Sequence, residues 1–392
     1  MREGWEYKKL GEVCTIERGG SPRPITDYIT DSEDGINWIK IGDAQEGSKY
    51  ITSTKEKIRP EGIKKSRFVH KGDFILSNSM SFGRPYILKV DGCIHDGWLV
   101  IHDNNEVFIK DYLYYILSSS IMYAKFSQLA VGGVVNNLNS SLVRKVDISI
   151  PPKSTQLAIV SELDKINELI RLKKEQLKDF DNLAQSIFYE MFGDPVENEM
   201  GWEVKKLGEF ANFKNGLNFS KSTNGCLIRF LGVSDFRYKK QISSNELEHI
   251  TLSESISEDY LLKTGDIVFV RSNGNKELIG RSVKLNITEP TTYSGFCIRC
   301  RIITDVIDKE FVAFILKTPA VHQLMTNSGR GCNISNLNQK NLNSIPIICP
   351  PYNLQHLFAQ RIEQIEHQKA EVQKAIADLE TLLASRMQYW FE

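Results

Sequence analysis

The sequence predicts an α+β chain: two similar globular α/β domains joined by two long helices that form an antiparallel coiled coil, with an internal pseudo-twofold repeat. Three observations predict it. GWEYKKLGE (4–12) returns as GWEVKKLGE (201–209), one change in nine. Segments 154–192 and 353–391 carry a sustained apolar seam. Short β-branched and aromatic runs, punctuated by Gly, Asn and Ser, fill the rest.

The repeat extends down the chain. KGDFILSNSMSFGR (71–84) matches TGDIVFVRSNGNKELIGR (264–281): a Gly-Asp turn, an apolar strand, a polar loop, then Gly-Arg. KDYLYYIL (110–117) matches KEFVAFIL (309–316) as a modest helix. GGVVNNLNSSLVRKVDISIPP (132–152) matches GCNISNLNQKNLNSIPIICPP (331–351), and from there the spacing between copies is a constant 199 residues. The expected divisions are a first globular domain at 1–152, a helical region at 153–193, a second globular domain at 194–351 and a second helical region at 352–392. Gly193-Asp194-Pro195 breaks the first helix where the chain ends in the second copy.

Each long helix follows a Pro-Pro pair, with Ser154 and Asn353 as expected caps. In the first, Ile159, Leu163, Ile166, Ile170, Leu177, Phe180, Ala184, Ile187 and Met191 recur in steps of four and three, with Lys173 in one polar slot. In the second the seam is Phe358, Ile362, Ile365, Lys369, Val372, Ile376, Leu379, Leu383, Arg386 and Trp390. A 3.5-residue period over about five heptads is that of a coiled coil. The first helix must deliver the chain to the second domain. A pseudo-twofold relation then runs the second helix back, as in a single-chain mimic of a symmetric dimer.

Charge narrows the function. The chain has 49 basic and 49 acidic residues, so any polyanion contact rests on local patches. The start MREGWEYKKLGE lacks an apolar core, and no apolar run approaches the ~20 residues of a membrane helix. Seven cysteines lack framework spacing. A reduced, cytoplasmic protein without membrane contact is expected.

Catalytic signatures reduce to look-alikes. CPPY (349–352) resembles the Asn/Asp-Pro-Pro-Tyr loop of amino-methyltransferases, but Cys349 does not replace the amide or carboxylate that grips adenine. IPPK (150–153) stands in the same place, so the Pro-Pro pair reads as punctuation between strand and helix. There is no Gly-rich cofactor loop and no Walker phosphate loop. Cys297 and Cys300 have zinc-knuckle spacing, yet FCIRCRI reads as a strand that points them to opposite faces, and no metal is expected. His95-Asp96 and His102-Asp103 read as loop residues. No catalytic residue is assigned.

The loops instead offer the chemistry of direct readout: Arg for guanine, Asn for adenine, Lys for phosphate. The candidates are Asn78 and Arg84 in SNSMSFGR, Arg237 and Lys239 in FRYKK, Arg271, Asn273, Lys276 and Arg281 in RSNGNKELIGR, and Arg330 and Asn333 in SGRGCN. The framework blocks match between copies while 18–70 and 215–263 diverge. Two copies of one frame with different loops suggest two different targets.

In this order, twice, the GW-x-x-KKLGE opening, INWIKIGD (36–43), the KGD/TGD strand with its Gly-Arg exit, NLN-x-x-x-L from Asn137 and Asn336, and IPP or CPP before Gln156 or Gln355 and a heptad helix resemble the specificity subunit of Type I restriction–modification enzymes. The resemblance covers essentially the whole chain. It implies that the globular parts are target recognition domains, each reading one half of a bipartite double-stranded DNA site, and that the helices set the spacer. It also implies two copies of a methyltransferase (M) subunit that methylate adenine N6, and restriction/translocase (R) subunits. S-adenosylmethionine, ATP and Mg then belong to those partners and no cofactor to this chain, a non-enzyme. Zero net charge suits a chain whose methyltransferase partners share the phosphate contacts. Two rival readings are a self-contained methyltransferase or nuclease, which needs a cofactor domain that no segment is free to be, and a protein-binding scaffold without DNA specificity.

Overall fold

The computed structural model describes residues 2–45, 47–78, 83–130, 138–218, 221–236, 241–253, 256–328, 332–333 and 336–392, with backbone alone at 130, 221–224, 276, 326–328 and 332–333. It divides into two compact units, Met1–Lys174 with Lys374–Glu392, and Glu175–Gln373. These cut across the expected domains: each long helix is shared between the units.

In the first unit, five strands form one sheet: β1 (Cys14–Arg18), β2 (Tyr50–Ile51), β3 (Phe74–Ser77), β4 (Pro85–Leu88) and β5 (Trp98–Asp103). Their order is β1-β5-β3-β4-β2, antiparallel except for the β4–β2 pair. The sheet is covered on both faces, and the period-2 alternation shows it. Phe74, Leu76, Leu99 and Ile101 face one core; Ile75, Trp98 and Val100 face another. The first core is closed by helices α1 (Lys110–Ser118) and α2 (Ser120–Ala130) and by ends of the long helices α3 (Lys153–Phe192) and α6 (Tyr352–Phe391).

The second unit repeats the plan. Strands β6 (Ala211–Asn215), β7 (Gln241–Ser243), β8 (Ile267–Val270), β9 (Ser282–Asn286) and β10 (Cys297–Ile302) take the order β6-β10-β8-β9-β7, again with one parallel edge pair. Helices α4 (Lys309–Ile315) and α5 (Pro319–Thr326) follow β10. Cys297 and Cys300 sit on β10 in different cores, as the strand reading requires. Burial pushes the Cys297 thiol up to about 12, with the nearby Asp235 charge adding to it.

The repeated motifs are hydrogen-bonding devices. In KKLGE the Glu caps its own turn: Lys9 N donates to Glu12 at 3.3 Å, and Lys206 N to Glu209 at 2.8 Å. In KGD and TGD the Asp closes the turn into its strand, accepting from His70 N and Lys263 N, both at 2.8 Å. The glycine between lies at φ +93° and +89°, the region that favours glycine. Gln156 accepts from Ile109 N and donates to Pro151 O; Gln355 accepts from Asp308 N and donates to Pro350 O. The glutamine that follows each Pro-Pro pair is thus a buried clamp between the long helix and the start of α1 or α4.

The copies part where sequence similarity lapses. The first unit adds a five-stranded sheet drawn from Ile29–Thr30, Ile36–Ile39, Glu56–Ile58, Arg67–Val69 and Gly92–Ile94. The second has three strands there, Lys221–Leu231, His249–Leu252 and Thr291–Tyr293.

Both long helices run 40 residues and start one residue earlier than expected, at Lys153 and Tyr352. Ser154 and Asn353 therefore lie inside the first turn and are not the caps. The first turn bonds back to the prolines instead, Gln156 N to Pro152 O and Gln355 N to Pro351 O. Within each unit the helices are antiparallel. In the first, Glu162 meets Arg386 and Lys174 meets Glu380; in the second, Asp181 meets Lys369 and Met191 meets Arg361. Along the seam Ile159, Leu163, Ile166, Ile170, Ile362, Ile365, Val372 and Ile376 are buried. Leu177, Phe180, Ile187, Leu379 and Leu383 are half-buried. The buried polar slot belongs to Lys369, 9% exposed, while Lys173 is half-buried. Burial alone would lower the Lys369 ammonium; Glu366 and Asp181 outweigh it and hold it above the ordinary value.

Candidate functional site

The loop leaving β3 spans 78–84, and the loop leaving β8 spans 271–281. Both are held at their roots by the same three backbone bonds. Asn78 N donates to Gly97 O at 2.9 Å, and Arg271 N to Phe296 O at 2.8 Å. Leu138 N donates to Asn78 O at 2.9 Å, and Leu337 N to Arg271 O at 2.8 Å. Gly83 N donates to Ser77 O, and Gly280 N to Val270 O. NLN is thus a loop anchor: its leucine amide ties the segment to the first residue of the candidate loop.

The side chains at this equivalent root differ. Asn78 is 1% exposed, and its amide donates to Asp96 O at 2.9 Å. The side chain is turned inward onto Asp96. Its Oδ1 has no partner among the described residues. Arg271 is half-exposed and its Nε donates to Asn336 Oδ1 at 3.3 Å. Arg84 is exposed, with its amide held by Ser77 Oγ at 3.0 Å. Arg281 is half-exposed and its Nε reaches Glu277 O at 3.2 Å. Asn273 Oδ1 accepts from Asn275 N at 2.7 Å, a turn that shapes the loop. Lys276 begins a short 3-10 turn, Lys276–Leu278. Asn333 lies on the second strand of a small hairpin, Asn327–Ser328 with Cys332–Asn333. Arg237, Lys239 and Arg330 lie outside the described residues.

Two cations that sequence reading passed over gather beside Asn78. Arg18 Nε donates to Asp96 O at 2.9 Å, and the exposed Arg23 guanidinium lies 3.6 Å from the Asp96 carboxylate. Ser21 Oγ donates to that carboxylate at 2.9 Å, and His95 sits 3.0 Å from it. Burial would raise the Asp96 carboxyl; Ser21, His95 and the two arginines outweigh it and hold it below the carboxylate range. The available signal was ERGGSPR (17–23), which leaves β1 where KNGLN (214–218) leaves β6. His102 lies 4.0 Å from Asp73 in the turn before β3, where Arg301 makes a paired contact with Asp266 in the other copy. Arginines on rigid loop roots, with Asn and backbone polar groups beside them, can donate to guanine edges and to phosphates.

No helix among the described residues is long and apolar enough to cross a membrane. The family model described as the Type I restriction modification DNA specificity domain matches this chain twice, at residues 2–179 and 199–381. The StySPI specificity subunit of Salmonella potsdam is 22% identical over 413 residues, covering 99% of this chain and 88% of that protein. The EcoKI specificity subunit of Escherichia coli K12 is 22% identical over 394 residues, covering 93% and 82%. A solved structure titled for the complex assembly and conformational transition of the type I R-M system shares the fold, with a TM-score of 0.64 at 18% identity, over 100% of this chain and 98% of that one.

Proposed function

Because the chain belongs to the Type I restriction modification DNA specificity domain family, we propose that it is the DNA-reading subunit of a Type I restriction–modification assembly. It supplies the address and no chemistry of its own. Each globular half reads one part of a split double-stranded site, and the paired long helices set the unread spacer. Two methyltransferase subunits carry S-adenosylmethionine and methylate adenine N6 after extruding it. Restriction/translocase subunits use ATP and Mg. The assembly works in the cytoplasm, where the DNA is.

The observation that carries this reading is one frame used twice with different loops. The roots at Asn78 and Arg271 are held by equivalent bonds, and the side chains they present differ. Zero net charge fits a subunit whose partners share the phosphate contacts that dominate affinity.

The test is to produce the chain with its cognate methyltransferase subunit in a methylation-free host and map N6-methyladenine across the genome. Two short specified halves around a fixed gap are expected. A continuous motif overturns the two-reader model, and a stable complex without methylation favours a protein-binding scaffold.

A further inference from the structure

The helix pair differs between its two ends beside the seam residue Leu163, where Glu162 in one copy corresponds to Arg361 in the other and the charge reverses. In the first unit, Glu162 of α3 is gripped by α6. Arg386 donates to it through Nε and through Nη2 at 3.1 Å, and Trp390 Nε1 donates at 3.0 Å. The repeat spacing of 199 puts Arg361 in the place of Glu162, Ile187 in that of Arg386 and Met191 in that of Trp390. In the second unit the exposed Arg361 accordingly contacts the Met191 thioether, at 3.7 Å.

The two helices are close enough in pattern to pair in three ways: α3 with α6, α3 with a second copy's α3, or α6 with a second copy's α6. Only the first satisfies this position. An α3–α3 pair sets Glu162 against Ile187 and Met191 at both ends, so the half-exposed carboxylate exchanges its Arg386 and Trp390 donors for water alone. An α6–α6 pair sets Arg361 against Arg386 at both ends, like charge on like charge. The Lys369–Asp181 pair does not discriminate. Lys369 would meet Glu380 in an α6–α6 pair, and Asp181 would find Lys174 in an α3–α3 pair. It contributes to register; Glu162 contributes to choice of partner.

We propose that Glu162 is the partner-selecting residue of the helix pair. The surface of α3 around it fits α6 of its own chain and rejects a second copy's α3, while Arg361 and Arg386 together bar a second copy's α6. Two copies of the chain therefore do not exchange like helices.

The full-length chain tests this by light scattering across a concentration series, with no DNA present. Wild type is expected to be monomeric. E162R/R361E inverts the code. Within the chain, the guanidinium introduced at position 162 now faces that of Arg386. Between copies, the carboxylate introduced at position 361 faces Arg386 and attracts it. A rise of about tenfold or more in dimer association is expected. Adding R386E restores an opposite-charge contact within the chain and sets carboxylate against carboxylate between copies, so the triple variant returns to monomer. Exchange that keeps the α3–α6 pairing has the monomer's contacts and would not respond to either change. If E162R/R361E does not fold, E162R/R386E keeps the contact within the chain while lifting the Arg–Arg block. It dimerises more than wild type, and R361E added to it restores the monomer. A dimeric wild type overturns the proposal, as does a folded E162R/R361E that stays monomeric. It also fails if R361E added to E162R/R386E leaves the dimer intact.

Discussion

The Leu337 amide donates to the Arg271 carbonyl at 2.8 Å, which together with the bond from Arg271 N to Phe296 O fixes the Arg271 backbone, while its half-exposed guanidinium bonds through Nε to Asn336. Position and side chain are thus separable. Arg271→Ala leaves the anchor intact and removes the donor fork. If Arg271 reads a base, the variant costs about 1–3 kcal/mol of discrimination at one position, in one half-site. Competition binding with single-base site variants, in complex with the methyltransferase subunit, measures it. Relaxation of both half-sites, or uniform weakening across sequences, removes Arg271 from the readers. Arg84→Ala and Arg281→Ala carry the same expectation for their own halves.

Asn78 predicts the opposite split. With its side chain buried and bonded to Asp96 O, which Arg18 also reaches, Asn78→Ala removes one of two donors to that carbonyl and costs about 0.5–1.5 kcal/mol of stability. The urea midpoint of the first unit should fall. A variant of unchanged midpoint that loses one half-site would reinstate Asn78 as a base contact.

Phe188 is fully buried where α3 enters the second unit, its ring within 5.3–6.0 Å of those of Phe192, Phe311, Phe314 and Phe358. Phe188→Ala leaves a cavity there and should cost about 3–5 kcal/mol. Limited proteolysis is expected to cut within 194–351 first. Equal loss of both halves would mean that the units do not open separately.

Glu162 gives the helix pair an acid limb. The bond from Arg386 chiefly, with one from Trp390, holds its carboxyl below the ordinary 4.5 against the effect of burial. A carboxyl lowered on folding contributes stability that is complete above 4.5 and lost as pH falls through the folded value. Wild type should exceed Glu162→Gln in urea midpoint near neutrality, and the gap should close as the pH is lowered beyond 4.5. A gap independent of pH would place the effect of the substitution elsewhere.

A heptad inserted into the middle of both α3 and α6 keeps the seam in register and lengthens each helix by about 10 Å. The mapped methylation motif should keep both half-sites and gain about three base pairs of spacer. An unchanged spacer with altered half-sites would remove the helices from the role of ruler.

The repeat, the long helices and their antiparallel direction were legible in the sequence because each is periodic. A 199-residue spacing and a 3.5-residue seam survive without knowledge of contacts, and KKLGE, KGD and the glutamine after Pro-Pro are local bonding devices that any copy must carry. What tertiary structure decided is which residues share a neighbourhood. Asn78 reads as an adenine donor in sequence, but β5 brings Asp96 O beneath it and buries it. Arg18 and Arg23 sit far from Asn78 in the chain and share Asp96 with it only because β1 pairs with β5. Phe188 and Phe192 look like ordinary helix residues until the second core closes on them, which is why the compact units divide the helices that sequence reading kept whole. Periodicity reports the face a residue presents; only the packed chain reports what lies against that face.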